Sequence, residues 1–364
     1  MQDGPGTSNS YGIIQFPVTI HLQKLLRELL YFHYLSFMTE NTIRWGMIGT
    51  GNVTELKSAP SFNKIENSRL VAVGNRTPEK AEDYASRHGI PTWYKDPYEV
   101  IRDPEVDIVY IATPPGSHMD YALETFKAGK PVYIEKPMAR TGEECRIINE
   151  AAEKAGLPVF VAYYRRGLEY FKKVRSIIDS GALGKILHIN MQQYYPARNE
   201  DYDRENLPWR VIPDDAGGGY FHDLGCHALD ILFYIFGDPL KVSGMISNVA
   251  GLYEPEDTLS ASLLLPRDLL VTASWNFVTP ESFQKDQVEV CGEKGKLTFG
   301  IFSFKPIILD SGEHKETIAT IQPEHIQMPL IRTIVSELNG QGRCPSNGQT
   351  AELTSRVMDT IRGL

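Results

Sequence analysis

The chain has 364 residues, enough for two domains with separate cores, and its 42% hydrophobic and 23% charged content is that of an ordinary globular protein. A formal net charge of −9 argues against nucleic acid or an anionic membrane as partner, since either demands a clustered basic surface. The four cysteines Cys145, Cys226, Cys291 and Cys344 form no C-x-x-C pair, which suits reduced thiols in a cytosol better than disulfides or zinc, and no apolar run reaches the ~18–20 residues of a membrane span.

Residues 1–40 read as an extension. Leu22, Leu25, Leu26, Leu29 and Leu30 recur at helical spacing, so residues 21–35 suit a lone amphipathic helix. Lys24, Arg27 and Glu28 interrupt it and make it a poor secretory signal. The segment is either a helix for a partner or a membrane surface, or a dispensable upstream stretch, with Met38 a natural start.

From residue 43 the pattern is strand, turn, helix, repeated. Residues 43–48 form a buried strand running into Gly49-Thr50-Gly51-Asn52-Val53-Thr54. A second strand at 70–73 precedes a helix that opens on Thr77-Pro78 and stops at Gly89. A third strand, 108–112, ends in Thr113-Pro114-Pro115. Ser117 then caps a helix closed by Gly129. Residues 131–134 deliver Glu135-Lys136-Pro137, Thr141 and Glu144 make a capping box for a helix ending at Gly156, and 159–162 is one more strand. Apolar strands alternating with helices mean a parallel sheet covered on both faces, so residues 41–162 read as a Rossmann-type, doubly wound nucleotide-binding domain.

Beyond Arg166 the period changes. Leu259, Ala261 and Leu263 alternate with Thr258, Ser260 and Ser262, the signature of a half-buried strand. Residues 186–195, 241–249 and 269–278 are also strand-like. Residues 288–299, broken at Glu293-Lys294-Gly295, read as a hairpin, and Ser311-Gly312 marks another. Helices are expected at 223–236, ending at Gly237, and at 351–361. Residues 163–364 therefore make an α+β domain with a large, mainly antiparallel sheet, whose last helix can pack back on the first domain.

Three motifs carry the chemistry. A strand feeding a glycine turn and a helix offers backbone N–H groups to a pyrophosphate; Gly49 permits the turn and Gly51 lets the backbone approach the phosphates. Thr54 stands where the third glycine of the fingerprint would be. At the end of the second strand an acidic residue would bind the 2′-hydroxyl of NAD, but the chain has Gly74-Asn75-Arg76, with Lys80 one turn on. Asn75 suits a hydroxyl or phosphate and Arg76 a 2′-phosphate or the adenine face, which favours NADP(H) over NAD(H), unless Arg76 and Lys80 are solvated charges at a helix start.

Lys136, at the C-terminal end of a parallel strand, can stabilise negative charge on a substrate oxygen; Glu135 can orient it, and the bond before Pro137 is a candidate for cis. Alone, such a lysine is better read as a surface residue at a strand end. Asp223 and His227, four apart on a helix, share one face, so the imidazole can move a proton while the carboxylate orients it or holds a sugar hydroxyl. The alternative is a hydrogen-bonded core histidine. His222 and Cys226 lie on the neighbouring face, but too few further ligands are recognisable to favour a metal site. Gly217-Gly218-Gly219 has no phosphate motif around it and suits close packing at the domain junction.

Together Gly49-Thr50-Gly51-Asn52, Ala112-Thr113-Pro114-Pro115 with His118, Glu135-Lys136-Pro137 and Gly217-Gly218-Gly219 leading to Asp223-x-x-x-His227 make the chain resemble the Gfo/Idh/MocA family from residue 43 onward. The resemblance implies hydride transfer between NAD(P) and a sugar, polyol or related hydroxy or keto compound, in a cytoplasmic homodimer or homotetramer formed through the open sheet. It implies Lys136 and His227 as the catalytic pair, Asp223 as a substrate-positioning carboxylate, and Thr113, Pro114 and His118 beside the nicotinamide. Trp209-Arg210 resembles a pair that contacts cofactor or substrate. Where many relatives carry an asparagine after the sixth strand, this chain has Ala162 and then Tyr163-Tyr164-Arg165-Arg166, so Tyr164 and Arg166 become candidates for the substrate contact. Two alternatives stay open: an NAD-dependent glycoside hydrolase of the same fold, which oxidises transiently and returns the hydride, and a non-catalytic NADP(H)-binding sensor, which has no need of the Lys136, Asp223 and His227 set.

Overall fold

The computed structural model describes residues 42–364, so the expected amphipathic helix at 21–35 and Met38 lie outside the described residues. Strands β1 (Ile43–Ile48), β2 (Ser68–Gly74), β3 (Thr92–Tyr94), β4 (Ile108–Ile111), β5 (Val132–Ile134) and β6 (Val159–Val161) form one six-stranded sheet in the order β3-β2-β1-β4-β5-β6. Every pairing in it is parallel. β1 and β4 are neighbours although they belong to opposite halves of this order. The chain reverses between them, and ligands bind outside such a switch point.

Helix Pro78–His88 follows β2 with proline in its first turn as expected, but the Thr77 side chain makes no capping bond; Gly89 closes the helix at φ +63°. Two expected caps form differently. The Ser117 hydroxyl donates back to Thr113 Oγ1 and the Pro114 carbonyl rather than accepting from the helix His118–Lys127. At Gly142–Ala155, Thr141 accepts from the Glu144 N–H, but the Glu144 carboxylate turns to the Arg140 side chain and N–H, so only half of a capping box is present. The short β3 and the helix Pro97–Arg102, started by Asp96 accepting from the Tyr98 N–H, escaped the periodicity reading because each is too brief to show a period.

The second sheet is eight-stranded. It contains β7 (Ile186–Tyr194), β8 (Lys241–Ser247), β9 (Thr258–Leu265), β10 (Leu269–Asn276), β11 (Lys285–Gly292), β12 (Gly295–Phe299), β13 (Ile307–Asp310) and β14 (Lys315–Ile318). Only β7 and β10 pair in parallel. β9 alternates as its sequence demands, with Leu259, Ala261, Leu263 and Leu265 buried. Two helices outside the expected pattern flank the run of strands, Glu169–Asp179 before β7 and Met328–Leu338 after β14; Leu330, Ile331, Ile334, Val335 and Leu338 supply the buried stripe of the second. Among the described residues no helix is long and apolar enough to cross a membrane.

The last helix, Gly348–Arg362, packs on Gly142–Ala155 of the first unit: Asn149 Nδ2 donates to the Gly348 carbonyl at 3.0 Å and Asp359 accepts from the Gly142 N–H at 2.7 Å. The glycine run also packs at this junction. Gly217 sits at φ +82°, and a Cβ there would lie 2.6 Å from the backbone of Arg140. Arg362 then donates to the Gly217 carbonyl at 2.9 Å.

Candidate active site

The glycine turn leaves β1 at the switch point. Gly49 is at φ +97°, and a Cβ on it would lie 2.6 Å from the Ala112 carbonyl oxygen, so the turn hugs the end of β4. A Cβ on Gly51 meets no atom within 4 Å, so its backbone faces an approach that a side chain would obstruct. That is the shape a dinucleotide pyrophosphate needs. Asn52 and Val53 open the helix Asn52–Leu56. Thr54 replaces the third glycine without loss of packing: it is buried, its hydroxyl donates to the Gly51 carbonyl at 2.7 Å, and its carbonyl accepts from Tyr84 at 2.9 Å.

Asn75 braces this turn, donating to Thr50 Oγ1 at 2.8 Å and accepting from the Thr77 N–H at 2.9 Å. Arg76 and Lys80 stand exposed beyond it. His118 is wholly buried; its ring nitrogens lie 2.7 Å from the Thr113 carbonyl and 3.2 Å from those of Pro137 and Met138. It thus braces the Thr113-Pro114 turn against the Lys136-Pro137 turn, and its side chain takes that work rather than an exposed contact. Burial lowers its pKa, against the opposing pull of these three carbonyls.

The Lys136–Pro137 peptide is cis. Glu135 does not orient the lysine amine. Its carboxylate accepts from Tyr110 at 2.6 Å, from Gln327 at 2.7 Å and from the Lys136 N–H at 3.2 Å, beneath the site. Lys136 Nζ instead donates to Asp223 Oδ1 at 2.6 Å and to the Asp223 carbonyl at 2.9 Å. Arg210 Nε reaches the other carboxylate oxygen at 3.1 Å, and its guanidinium lies over the Trp209 ring at 4.6 Å. Burial works against both charges, yet each sustains the other: the Lys136 pKa is raised, and Lys136 and Arg210 hold that of Asp223 at about 2.

Asp223 and His227 lie on either side of a change of helix type and are not hydrogen-bonded to each other. Phe221–Gly225 is a π-turn, and α geometry begins only at Cys226. The carboxylate goes to the two cations, while the imidazole packs edge-on against Tyr163, Tyr164 and Phe302, with ring centroids 6.0, 5.4 and 5.6 Å away. His227 Nδ1 is buried and has no hydrogen-bond partner, which a structural core histidine would have. Burial, with the charges of Arg165, Lys136 and Lys57, pushes its pKa well below the ordinary value, so the ring is neutral. His222 takes no part in this cluster: burial and Arg362 lower its pKa to about 4, and its Nε2 lies 3.3 Å from the Ala139 carbonyl.

Of the two candidates after β6, Tyr164 reaches the site and Arg166 does not. Arg166 makes a buried ion pair with Asp230, using Nε and Nη2 at 2.7–3.0 Å, and donates to the Pro345 carbonyl at 2.9 Å. The sequence shows two adjacent arginines and no means of telling which one Asp230 takes. Arg166→Met is expected to strip this pair of its cation and cost about 3–5 kcal/mol, read from chemical denaturation, with KM of the folded enzyme unchanged. The neighbour, Arg165, is the residue the sequence reading passed over: its guanidinium lies 4.2 Å from the Phe302 ring centroid and 4.9 Å from that of Tyr164. Phe302, with Tyr195, Arg198, Tyr220, Leu224 and Phe277, lines a cavity of about 340 Å³ that adjoins Asp223 through Leu224. A larger cavity of about 500 Å³, between Gly142–Ala155, the last helix and β8, holds none of these groups.

The arrangement thus offers a cationic donor, a neutral imidazole and a dinucleotide turn around one sheet end. Comparison with known proteins agrees. Residues 43–163 match the model of an oxidoreductase family with an NAD-binding Rossmann fold, and residues 171–298 match the GFO/IDH/MocA C-terminal domain. The chain is 34% identical over 326 residues to oxidoreductase P35 of Formosa agariphila, covering 89% of this chain and 99% of that one. It is 27% identical to scyllo-inositol 2-dehydrogenase (NAD(+)) of Bacillus subtilis over 86% of this chain and 90% of that one. The solved structure of aldose-aldose oxidoreductase from Caulobacter crescentus, complexed with glycerol, superposes with a TM-score of 0.78 at 24% identity, covering 89% of this chain and 98% of that one. The chain belongs to the Gfo/Idh/MocA family of NAD(P)-dependent oxidoreductases.

Proposed function

We propose that this oxidoreductase passes a hydride between NADP(H) and a sugar, polyol or related hydroxy or keto compound, with Lys136, His227 and Asp223 as its chemical residues. The observation that carries the reading is the buried Lys136–Asp223 pair set beside a neutral imidazole with a free ring nitrogen. Gly49, Thr50, Gly51, Asn52 and Val53 would hold the pyrophosphate, and Thr113, Pro114, Trp209 and Arg210 would flank the nicotinamide. When bound, the nicotinamide supplies or accepts the hydride at the substrate carbon. Lys136 Nζ donates to the substrate oxygen and stabilises its developing charge. Asp223 keeps that amine charged and positioned. His227 takes the hydroxyl proton in oxidation and returns it in reduction.

Aromatic walls around the cavity suit the apolar faces of a sugar ring, and the inositol dehydrogenase and aldose-aldose oxidoreductase among the similar proteins support a polyhydroxylated substrate. Met245 and Leu270, exposed on the uncovered face of the second sheet, support a homodimer or homotetramer formed through that face. A panel of sugars, polyols and inositols followed at 340 nm with both cofactors tests the reading. Net hydride transfer supports it, and glycoside hydrolysis with no net cofactor change overturns it.

The NADP(H) preference rests on Arg76, exposed beside the braced Asn75 with no carboxylate at the end of β2. Arg76→Glu is expected to lower kcat/KM for NADPH relative to NADH by about 10- to 100-fold, the loss of one charged phosphate contact. An unchanged ratio would assign Arg76 to the solvated surface.

A further inference from the structure

Two adjacent arginines are buried, and only one is neutralised. Arg166 has Asp230. Arg165, 1% exposed, donates through Nε to the Ile301 carbonyl at 2.9 Å, while its Nη1 is buried with no acceptor, and among the described residues it forms no ion pair. A buried guanidinium keeps its charge, and Asp230, which acts on Arg165 only through space, is already bound to Arg166, so an acceptor for Nη1 has to come from elsewhere or the site bears the cost. The Tyr164 and Phe302 rings attract the cation but offer no acceptor to its N–H groups, so that requirement survives the two ring contacts.

The position is informative. Both rings that cover Arg165 also touch His227, and the charges that bear on His227 (Arg165, Lys136 and Lys57) are all positive. Asp223 is already shared between Lys136 and Arg210. The Phe302 ring, 4.2 Å from the guanidinium, also lines the 340 Å³ cavity, so a turn of this partly exposed ring would bring the Arg165 side chain within reach of a ligand there.

Resting on the hydride-transfer reading above, we infer that Arg165 receives a carboxylate of the substrate, so that the natural substrate is a sugar acid, of the uronate or aldonate class, rather than a neutral sugar. A carboxylate satisfies the free N–H in the plane of the guanidinium and supplies the charge the pocket lacks. The carbon that exchanges hydride then lies near Lys136 and His227, and the acid group lies on the far side of the Phe302 ring.

Matched pairs test this: D-glucose with D-glucuronate and D-galactose with D-galacturonate, assayed at 340 nm and by quenching of enzyme-bound NADPH fluorescence. For the wild type the acid is expected to exceed its neutral partner by about 10- to 100-fold in kcat/KM or in affinity. Arg165→Gln is expected to erase that ratio chiefly through KM. If this variant does not fold, the wild-type ratio decides alone. Neutral sugars turned over as well as the acids would overturn the inference and leave the oxidoreductase reading standing. An Arg165→Gln enzyme that keeps the full acid preference, or a wild type whose NADPH complex binds neither acid, would also overturn it.

Discussion

Lys136→Met is expected to lower kcat by about 10²- to 10³-fold, while the dissociation constant for NADPH stays within a few-fold of wild type. Methionine keeps most of the stem and removes the charge proposed to face the substrate oxygen. The glycine turn and its brace at Asn75 lie on other strands, so the coenzyme keeps its seat. Stopped-flow hydride transfer and NADPH fluorescence titration separate the two effects, and a variant with more than a tenth of wild-type turnover would remove Lys136 from the chemistry. The loss also reaches Asp223, left with Arg210 alone, so its pKa should climb from about 2. Since that pKa is depressed in the folded state, the stabilisation it brings is complete above the unfolded value of about 4 and disappears as pH falls toward 2. For Lys136 the raised pKa works in the other direction: its contribution is complete below the unfolded value and lost only as pH rises through the folded one. The pair should therefore hold across the neutral range.

His227→Ala is expected to cut the rate of alcohol oxidation by about 10²- to 10⁴-fold, the worth of a positioned base. The wild-type acid limb of kcat/KM should fall below the ordinary histidine value of about 6.5, because burial and the surrounding cations keep the imidazole neutral to lower pH. In the variant that limb should vanish. A pH profile across 5 to 9 reads both. Removing the ring also leaves a hole among Tyr163, Tyr164 and Phe302, so His227→Asn, which fills more of it, distinguishes lost chemistry from lost packing. Full turnover with a wild-type pH profile in the asparagine enzyme would return His227 to a packing role.

Much of the fold could be read from local pattern. The buried strands β1, β4, β5 and β6 are short apolar runs bounded by turn residues, and Gly89 and Gly156 end their helices with the left-handed conformation that glycine adopts without strain. β9 declared its buried face through strict alternation. Thr92–Tyr94 escaped because it is too short to show a period. The π-turn at Phe221–Gly225 escaped for another reason: residues spaced for an α-helix are spaced equally well for a turn wound one residue wider.

The composition of the site was thus written along the chain, as one lysine, one aspartate, one histidine and a glycine turn in a recognisable order. Their pairing was not. Asp223 turns to Lys136 and Arg210 rather than to His227; Glu135 serves Tyr110 and Gln327; and Asp230 binds Arg166 directly, while Arg165 forms no ion pair among the described residues. Periodicity reports which side of its own element a residue occupies. Which charge meets which is decided by elements distant in sequence, because burial makes an unpaired ion costly and only the packed chain determines which partners come within reach.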